Sequence, residues 1–398
     1  MQNIYVVTGC AGFIGSHFVE KLFEKEKDCI VIGVDKLTYA GLPQNMSSFW
    51  RNPNFFFLAE LNDVIINADR RLFVKSDESH LGTGHGEGRI TYNLVDINNL
   101  KADVFYVSLN KLFALDNMSK SIKYVIQNNY ITIEDNKKID FLKIKDFTSN
   151  VYLINFAAES HVDRSIINSS DFVQTNINGT VNLLNLALEN QVEKFIQIST
   201  DEVYGSSASV PHKEDDKLLP SSAYSASKAS ADLLALSYYY THNLPVCITR
   251  SANNYGPRQF PEKVIPLFID RLFSKQPVPL YGDGSNIRDW LYVKDNCEAI
   301  YRVAIAGQPG EIYNIASGHR LKNSDLAKLL IESVKGDFDS KWIQYVEDRK
   351  GHDKAYWLNW CKIKNELGWC PSTKFSDGLK ETVRWFFYAF SNEYFGDK

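Results

Sequence analysis

The feature that most constrains this chain is a glycine-rich turn set between its first strand and its first helix. Ile4 to Val7 is a β-branched apolar run that reads as a buried strand. It leads directly into Thr8-Gly9-Cys10-Ala11-Gly12-Phe13-Ile14-Gly15. Glycines at this spacing let the backbone turn tightly and approach a pyrophosphate. The helix that follows, predicted over Ser16 to Glu24, adds N–H groups and the positive end of its dipole. A glycine pattern alone is weak evidence. It is strengthened by a second strand, Cys29 to Val34, that ends at Asp35. Asp35 lies about twenty residues after Gly15, where a carboxylate reaches a ribose 2′-hydroxyl. An acid there disfavours a 2′-phosphate, so the expected cofactor is NAD rather than NADP, although Lys36 follows. The competing reading of Asp35 is an ordinary strand-end acid. The expected fold is α/β: a Rossmann doubly wound parallel sheet.

A second pair of segments carries the chemistry. Phe195 to Ile198 reads as a buried strand, and Thr200-Asp201-Glu202 stands at its end. The end of a parallel strand is where α/β folds place reactive groups. Downstream, Tyr224 and Lys228 are four residues apart and share one helical face. An ammonium beside a phenol favours the phenolate, which would make Tyr224 a base near neutral pH. Each residue also has a plain structural reading, as a helix cap or a solvated face. The nucleotide-binding start of the chain is what favours chemistry.

Together these segments resemble the extended short-chain dehydrogenase/reductase family, and within it the nucleotide-sugar 4,6-dehydratases. Tyr-x-x-x-Lys marks the whole superfamily. Thr-Asp-Glu before Val203-Tyr204-Gly205 is narrower and points to the dehydratases. The resemblance implies an internal redox dehydration of a nucleoside-diphosphate hexose. Tyr224 would take the proton of the 4-hydroxyl while NAD accepts hydride from C4, with Lys228 and Thr200 holding the geometry. Glu202 would then remove the C5 proton, protonated Asp201 would deliver one to the departing 6-hydroxyl, and hydride would return to C6. The expected substrate is dTDP-glucose, with UDP-glucose or UDP-GlcNAc as the alternatives. A 4-epimerase, a decarboxylase and a non-catalytic sugar-nucleotide binder are the rival readings; Thr200-Asp201-Glu202 argues against the first two, and the presence of every named catalytic residue against the third.

By the same resemblance, cofactor contacts are expected from Gly9, Gly12, Phe13, Ile14, Gly15, Asp35, Lys36, Leu37, Thr38, Ala157, Ala158, Ser160, Thr175, Tyr224, Lys228 and Asn254. Substrate contacts are expected from Ser160, His161, Thr200, Asn253, Lys263, Tyr281, Arg288, Asn314, Arg349 and His352. The chain departs from the family where Lys350 replaces a usual Pro and Ala355 a usual basic residue. The identity of the base is the property those departures touch. A homodimer is implied, formed through the helices containing Asn178 to Glu189 and Ser222 to Tyr240.

One stretch has no counterpart in the family. Asn54 to Asp63 resembles the third strand, with Glu60-Leu61 in place of the usual Asp-Ile, and Ile139 to Phe147 resembles the helix after it. Between them, about Val64 to Asp135 carries strand-like runs: Arg71 to Val74, Arg89 to Leu94, Asp103 to Ser108, Ile122 to Ile126 and Tyr130 to Ile133. About seventy residues is too long for a structureless loop in a compact domain. An inserted, mostly-β subdomain is expected there, with a hairpin turn over His80 to Gly88. A second alignment would instead make Val95-Asp96-Ile97 the end of the third strand.

The expected division is therefore residues 1–63 and 136–250 for the NAD-binding domain, with some later segments returning to it, 64–135 for the insertion and 251–398 mainly for a smaller sugar-nucleotide lobe. The 398 residues suffice for two lobes. A net charge of −4 with no basic block gives no sign of nucleic-acid binding. Six scattered cysteines without metal or disulfide spacing suit a reducing cytoplasm. His80 and His85 lack the companions a metal site needs. Met1 leads straight into a strand, and no apolar run is long enough to cross a bilayer, so no signal peptide and no membrane partner are expected.

Overall fold

A computed structural model describes residues 3–58, 64–66, 71–76, 91–96, 122–127, 130–135, 150–207, 209–349, 351–392 and 394. The chain opens with β1 (Ile4–Thr8), α1 (Phe13–Lys25), β2 (Ile30–Val34) and β3 (Phe55–Leu58). Five strands follow: β4 (Val64–Ile66), β5 (Arg71–Ser76), β6 (Thr91–Asp96), β7 (Ile122–Gln127) and β8 (Tyr130–Asp135). They pair antiparallel with one another in the order β4-β5-β6-β8-β7. The expected run Asp103 to Ser108, the glycine-rich turn with His80 and His85, Glu60-Leu61 and the helix over Ile139 to Phe147 lie outside the described residues.

The chain then returns as β9 (Val151–Asn155), α2 (Val162–Ile167) and α3 (Ser170–Phe172). A π-helical turn over Val173–Asn178 runs into α4 (Gly179–Glu189). Next come β10 (Lys194–Thr200), α5 (Ala223–His242) and β11 (Val246–Ser251). The remainder comprises β12 (Asn253–Tyr255), α6 (Val264–Phe273), β13 (Val278–Tyr281), β14 (Ile287–Tyr292), α7 (Val293–Ala306) and β15 (Ile312–Ile315). It ends with β16 (Arg320–Lys322), α8 (Asn323–Lys335), β17 (Ile343–Val346), α9 (Cys361–Leu367) and α10 (Phe375–Ser391).

Seven of these strands form one parallel sheet in the order β15-β11-β10-β9-β1-β2-β3. The chain winds outward from β1 through β2 and β3, then restarts at β9 on the other side of β1. The carboxyl ends of β1 and β9 therefore mark the switch point, where a doubly wound sheet opens a ligand crevice. Thr8 and Asn155 meet there, hydroxyl to amide oxygen, at 2.9 Å. Because β3 pairs with β2 while β6 pairs with β5 and β8, the third strand is Phe55–Leu58 and not the one ending at Val95-Asp96.

The strands β1, β2 and β9 are buried throughout, so their sequences are apolar on both faces. On one side Tyr5, Val7 and Val31 pack with Phe18 and Leu22 of α1 and Ile300 and Val303 of α7. On the other, Ile4, Val6 and Ile30 pack with Leu183 and Leu184 of α4 and Ala235 of α5. A third core, with Phe268, Trp290, Leu330 and Phe386, belongs to the later segments. Each fully buried large apolar side chain contributes about 1.5–3 kcal/mol. The sheet is thus the rigid floor on which strand ends hold the site.

Candidate active site

The turn after β1 is shaped by its glycines. Gly9 has φ +69°, and a Cβ there would meet the Ala157 backbone at 2.9 Å. A Cβ at Gly15 would stand 2.1 Å from the Gly9 carbonyl oxygen. Backbone passes where a side chain cannot. Gly12 caps α1 without a side-chain bond, and the first turn holds no acid. Phe13 and Ile14 open α1 just past the carboxyl end of β1. Asp35 takes Ala11 N–H at 2.9 Å and Leu37 N–H at 2.8 Å. Burial raises its carboxyl, against the pull of those N–H groups. Leu37 sits at φ 52°, while Lys36 and Thr38 are exposed. The glycine cradle, the open helix end and the strand-end carboxylate suit the pyrophosphate and ribose of NAD. On the facing strand, Ala157 N–H donates to Thr8 Oγ1 at 3.2 Å, and Ala158, Ser160 and Thr175 are half-buried.

The acid pair stands at the end of β10. Thr200 is the N-cap of a 3₁₀ turn, Asp201–Tyr204; its hydroxyl accepts Glu202 N–H at 3.3 Å and donates to Asp201 Oδ1 at 3.2 Å. Gly205 ends the turn at φ +80°, where a Cβ would lie 2.4 Å from the Leu219 carbonyl oxygen. Asp201 is 3% exposed, and its Oδ2 has no hydrogen-bond partner. Burial drives its carboxyl well above the usual range, and the neighbouring Glu202 adds to this. Glu202 is also raised by burial, but Arg288, Lys263 and Arg349 pull it back. Two adjacent acids thus lie in fields that separate them: Asp201 favours its proton, and Glu202 faces three cations.

Tyr224 and Lys228 project from the first turns of α5. Ser222 caps that helix with a capping box: its hydroxyl accepts Ser225 N–H at 3.1 Å, and Ser225 returns the bond. Tyr224 shares a hydrogen bond with Thr200, but burial and then the charge of Glu202 hold its phenol above the usual value. The expectation that Lys228 lowers it is corrected here. Lys228 Nζ donates to the Ile198 carbonyl at 2.5 Å, and desolvation brings the lysine itself down to about 8. Burial penalises both charged forms, which helical spacing alone does not reveal.

The substrate-side residues divide. Lys263 Nζ donates to Ser160 O at 2.7 Å, and burial lowers it. Arg349 pairs with Asp163 at 3.6 Å. His161 caps α2, and burial lowers its imidazole. Arg288, 5% exposed, donates to the carbonyls of Ile287 and Asp353 and lies over the Tyr356 ring at 4.3 Å. His352 bonds Asp348 at 2.6 Å, with the partly exposed Tyr281 ring 6.2 Å away. Asn253 and Asn254 each keep an unpartnered buried amide oxygen. Asn314 departs from expectation: it is fully buried, accepts the Tyr204 hydroxyl at 2.9 Å and donates to the His212 and Asn359 carbonyls. With its side chain spent inside the protein, it has a structural rather than a ligand-facing place. Lys350 lies outside the described residues, and Ala355 is buried.

Sequence reasoning missed Tyr356 and Asn176. Tyr356 donates to Asp353 at 2.8 Å, and its phenol is raised by burial and then by Glu202. Its only signal was its place three residues after Asp353. Asn176 bridges Glu159 and Ser227 with bonds of 2.9 Å, tying the β9 loop to α5. Among the described residues no cluster of His, Cys, Asp and Glu has metal-binding geometry.

Comparison with known proteins places this geometry. The GDP-mannose 4,6 dehydratase family description matches residues 97–382. The chain is 38% identical to a dTDP-glucose 4,6-dehydratase of Streptomyces griseus over 388 residues, covering 97% of this chain and 94% of that one. It is 39% identical to the low-salt glycan biosynthesis protein Agl12 of Haloferax volcanii, covering 96% and 97%. The solved structure of DesIV, a dTDP-glucose 4,6-dehydratase from Streptomyces venezuelae with NAD and TYD bound, superposes with a TM-score of 0.73 at 36% identity, covering 98% of both chains.

Proposed function

The chain belongs to the GDP-mannose 4,6-dehydratase family, and we propose that it dehydrates dTDP-glucose to the 4-keto-6-deoxy sugar nucleotide, with NAD as a retained cofactor. The observation that carries this reading is the acid pair. Asp201 is buried with a free Oδ2 and a strongly raised carboxyl, beside a Glu202 that faces Arg288, Lys263 and Arg349. Neither an epimerase nor a decarboxylase needs such a pair.

Gly9, Gly12, Gly15 and Asp35 would hold NAD, which supplies a hydride acceptor for C4 and later a donor for C6. The protein does the rest. Tyr224, as the phenolate on the same helical face as the Lys228 ammonium, removes the 4-hydroxyl proton, with Thr200 fixing the oxygen. The resulting ketone acidifies C5–H, and Glu202, kept ionisable by its three cations, takes that proton. Asp201, held neutral by burial, gives its proton to the 6-hydroxyl as water leaves. Lys263, Arg288 and Arg349 are the cations suited to the diphosphate, and Arg288 presents a planar fork. His161, Ser160, Asn253, Tyr281 and His352 line the sugar and base side.

The NAD-binding domain is assigned residues 1–63 and 136–250 with later segments such as α7 and β15 returning to it, the insertion 64–135, and the sugar-nucleotide lobe mainly 251–398. A homodimer is assigned to α4 and α5, which pack side by side and leave Leu233 and Tyr240 59% and 74% exposed. A cytoplasmic location fits six free cysteines. No described helix is long and apolar enough to cross a membrane.

The test is mass-spectrometric product analysis with NAD and, separately, dTDP-glucose, UDP-glucose and UDP-GlcNAc. Loss of one water from dTDP-glucose alone supports the assignment. Loss from a uridine sugar keeps the mechanism and replaces the substrate. Isomerisation without water loss overturns the roles of Asp201 and Glu202.

A further inference from the structure

Behind the catalytic groups lies a buried ion pair that the mechanism above does not use. Tyr224, Lys228 and Asp232 recur every four residues along α5. Asp232 is completely buried, and Arg250 of β11 is 2% exposed. Asp232 Oδ2 accepts Arg250 Nε at 2.9 Å and Ser199 Oγ at 3.0 Å, while its Oδ1 has no hydrogen-bond partner. Arg250 also donates Nη1 to the Tyr204 hydroxyl at 2.8 Å, with its guanidinium 4.7 Å from that ring. Ser199 and Tyr204 flank Thr200-Asp201-Glu202. One ion pair therefore joins the helix that carries Tyr224 and Lys228 to both ends of the acid-bearing turn.

We infer that Asp232, clamped by Arg250, is a positioning residue that keeps Lys228 protonated beneath Tyr224 and fixes the Tyr/Lys helix in register with the Asp/Glu turn. The inference rests on the dehydratase reading for its consequence, but not for its geometry. Lys228 shares its helical face with Tyr224 and Asp232 and donates to the Ile198 carbonyl on β10, Asp201 and Glu202 act on Tyr224, and Arg250 of β11 pairs with Asp232. Ser227, also on α5, and Asn176, its partner in the π-helical turn before α4, are neutral. Asp232 is the charge that opposes the desolvation of Lys228. A buried aspartate needs a partner to stay ionised, and Arg250 and Ser199 supply it.

The test removes both charges together, because a lone buried charge would unfold the protein. In D232N/R250M the alkaline limb of kcat/KM, set by proton loss from Lys228, moves down by about one pH unit, the size of a neighbouring-charge effect. The rate near that limb falls about tenfold for the same reason. D232E, which keeps the charge, retains the wild-type limb. The second readout is equilibrium unfolding against pH, compared with K228M. The folded value of Lys228 lies near 8, below its ordinary 10.5. The unfolded chain thus binds the extra proton between those values, and stability rises with pH across that window.

In the double variant the window opens at lower pH. An unshifted limb and window in D232N/R250M, with only reduced stability, overturn the inference. So does a wild-type window that already opens well below neutrality, a result that needs no Asp232 variant to fold. A wild type that makes no ketosugar sinks the dehydratase reading instead, while the unfolding measurement still decides the charge relation.

Discussion

At the scale of residues, function depends on two carboxyls that must differ. Asp201→Asn keeps shape and burial but cannot deliver a proton, so water loss slows by about 10²–10⁴-fold. Exchange of the C5 proton continues in that variant, because Glu202 remains. Glu202→Gln loses both. Incorporation of deuterium at C5 from heavy water, read alongside water loss, separates the two roles. The pH profile gives a second check. Activity rises as Glu202 ionises and falls as Lys228 gives up its proton. Arg288 pulls both carboxyls down. In Arg288→Met the acid limb therefore moves to higher pH, by about one unit. A limb that stays in place would show that Glu202 does not set it.

At the scale of elements, α5 connects folding to catalysis. Its capping box lies two residues before Tyr224, so the end that frays first is the end that holds the base. Ser222→Ala removes the acceptor for Ser225 N–H and costs about 1 kcal/mol, read as a lowered unfolding midpoint. A fall in kcat that exceeds any change in KM would follow from the looser phenol. The elements themselves were legible in the sequence. Apolar runs ending at Thr8 and Asp35 marked strands, because β1 and β2 are buried and almost wholly apolar. In β10 the buried Phe195, Ile196 and Ile198 carried the signal through a strand that also buries Lys194, Gln197 and Ser199. The glycine turn and Tyr-x-x-x-Lys placed the two halves of the site. What could not be read was the medium between them. Spacing put Lys228 beside Tyr224, but only the packed protein reveals that burial outweighs that neighbour. Asn314 looked like a ligand because its segment resembles one that clamps the nucleotide in the family, yet Tyr204 and two carbonyls use its amide. Tyr356 was missed because Asp353, three residues away, was too slight a signal and Arg288 reaches its ring only through the fold.

At the scale of the whole molecule, the site lies between two groups of segments, and polar contacts join them over the crevice. Arg164 from α2 sits 3.7 Å from the Tyr39 ring centroid, on the loop that continues from Asp35. Glu262, just before α6, takes the Tyr39 hydroxyl at 3.1 Å and lies 3.6 Å from Arg164 and 3.9 Å from His161. This cluster bridges the cofactor loop to the sugar-nucleotide side, so it should slow cofactor escape. Its strength is limited, because Arg164 is half exposed. Such pairs are worth about 0.2–1 kcal/mol and weaken in salt. Glu262→Gln keeps the hydrogen-bond acceptor for Tyr39 but removes the charge. The expected result is NAD loss faster by a factor of about 2 to 5, read as cofactor content after repeated gel filtration. High salt should speed the loss from the wild type toward the same rate and leave the variant nearly unchanged. If instead salt affects both alike, the bridge is not electrostatic, and retention must come from the glycine turn and Asp35 alone.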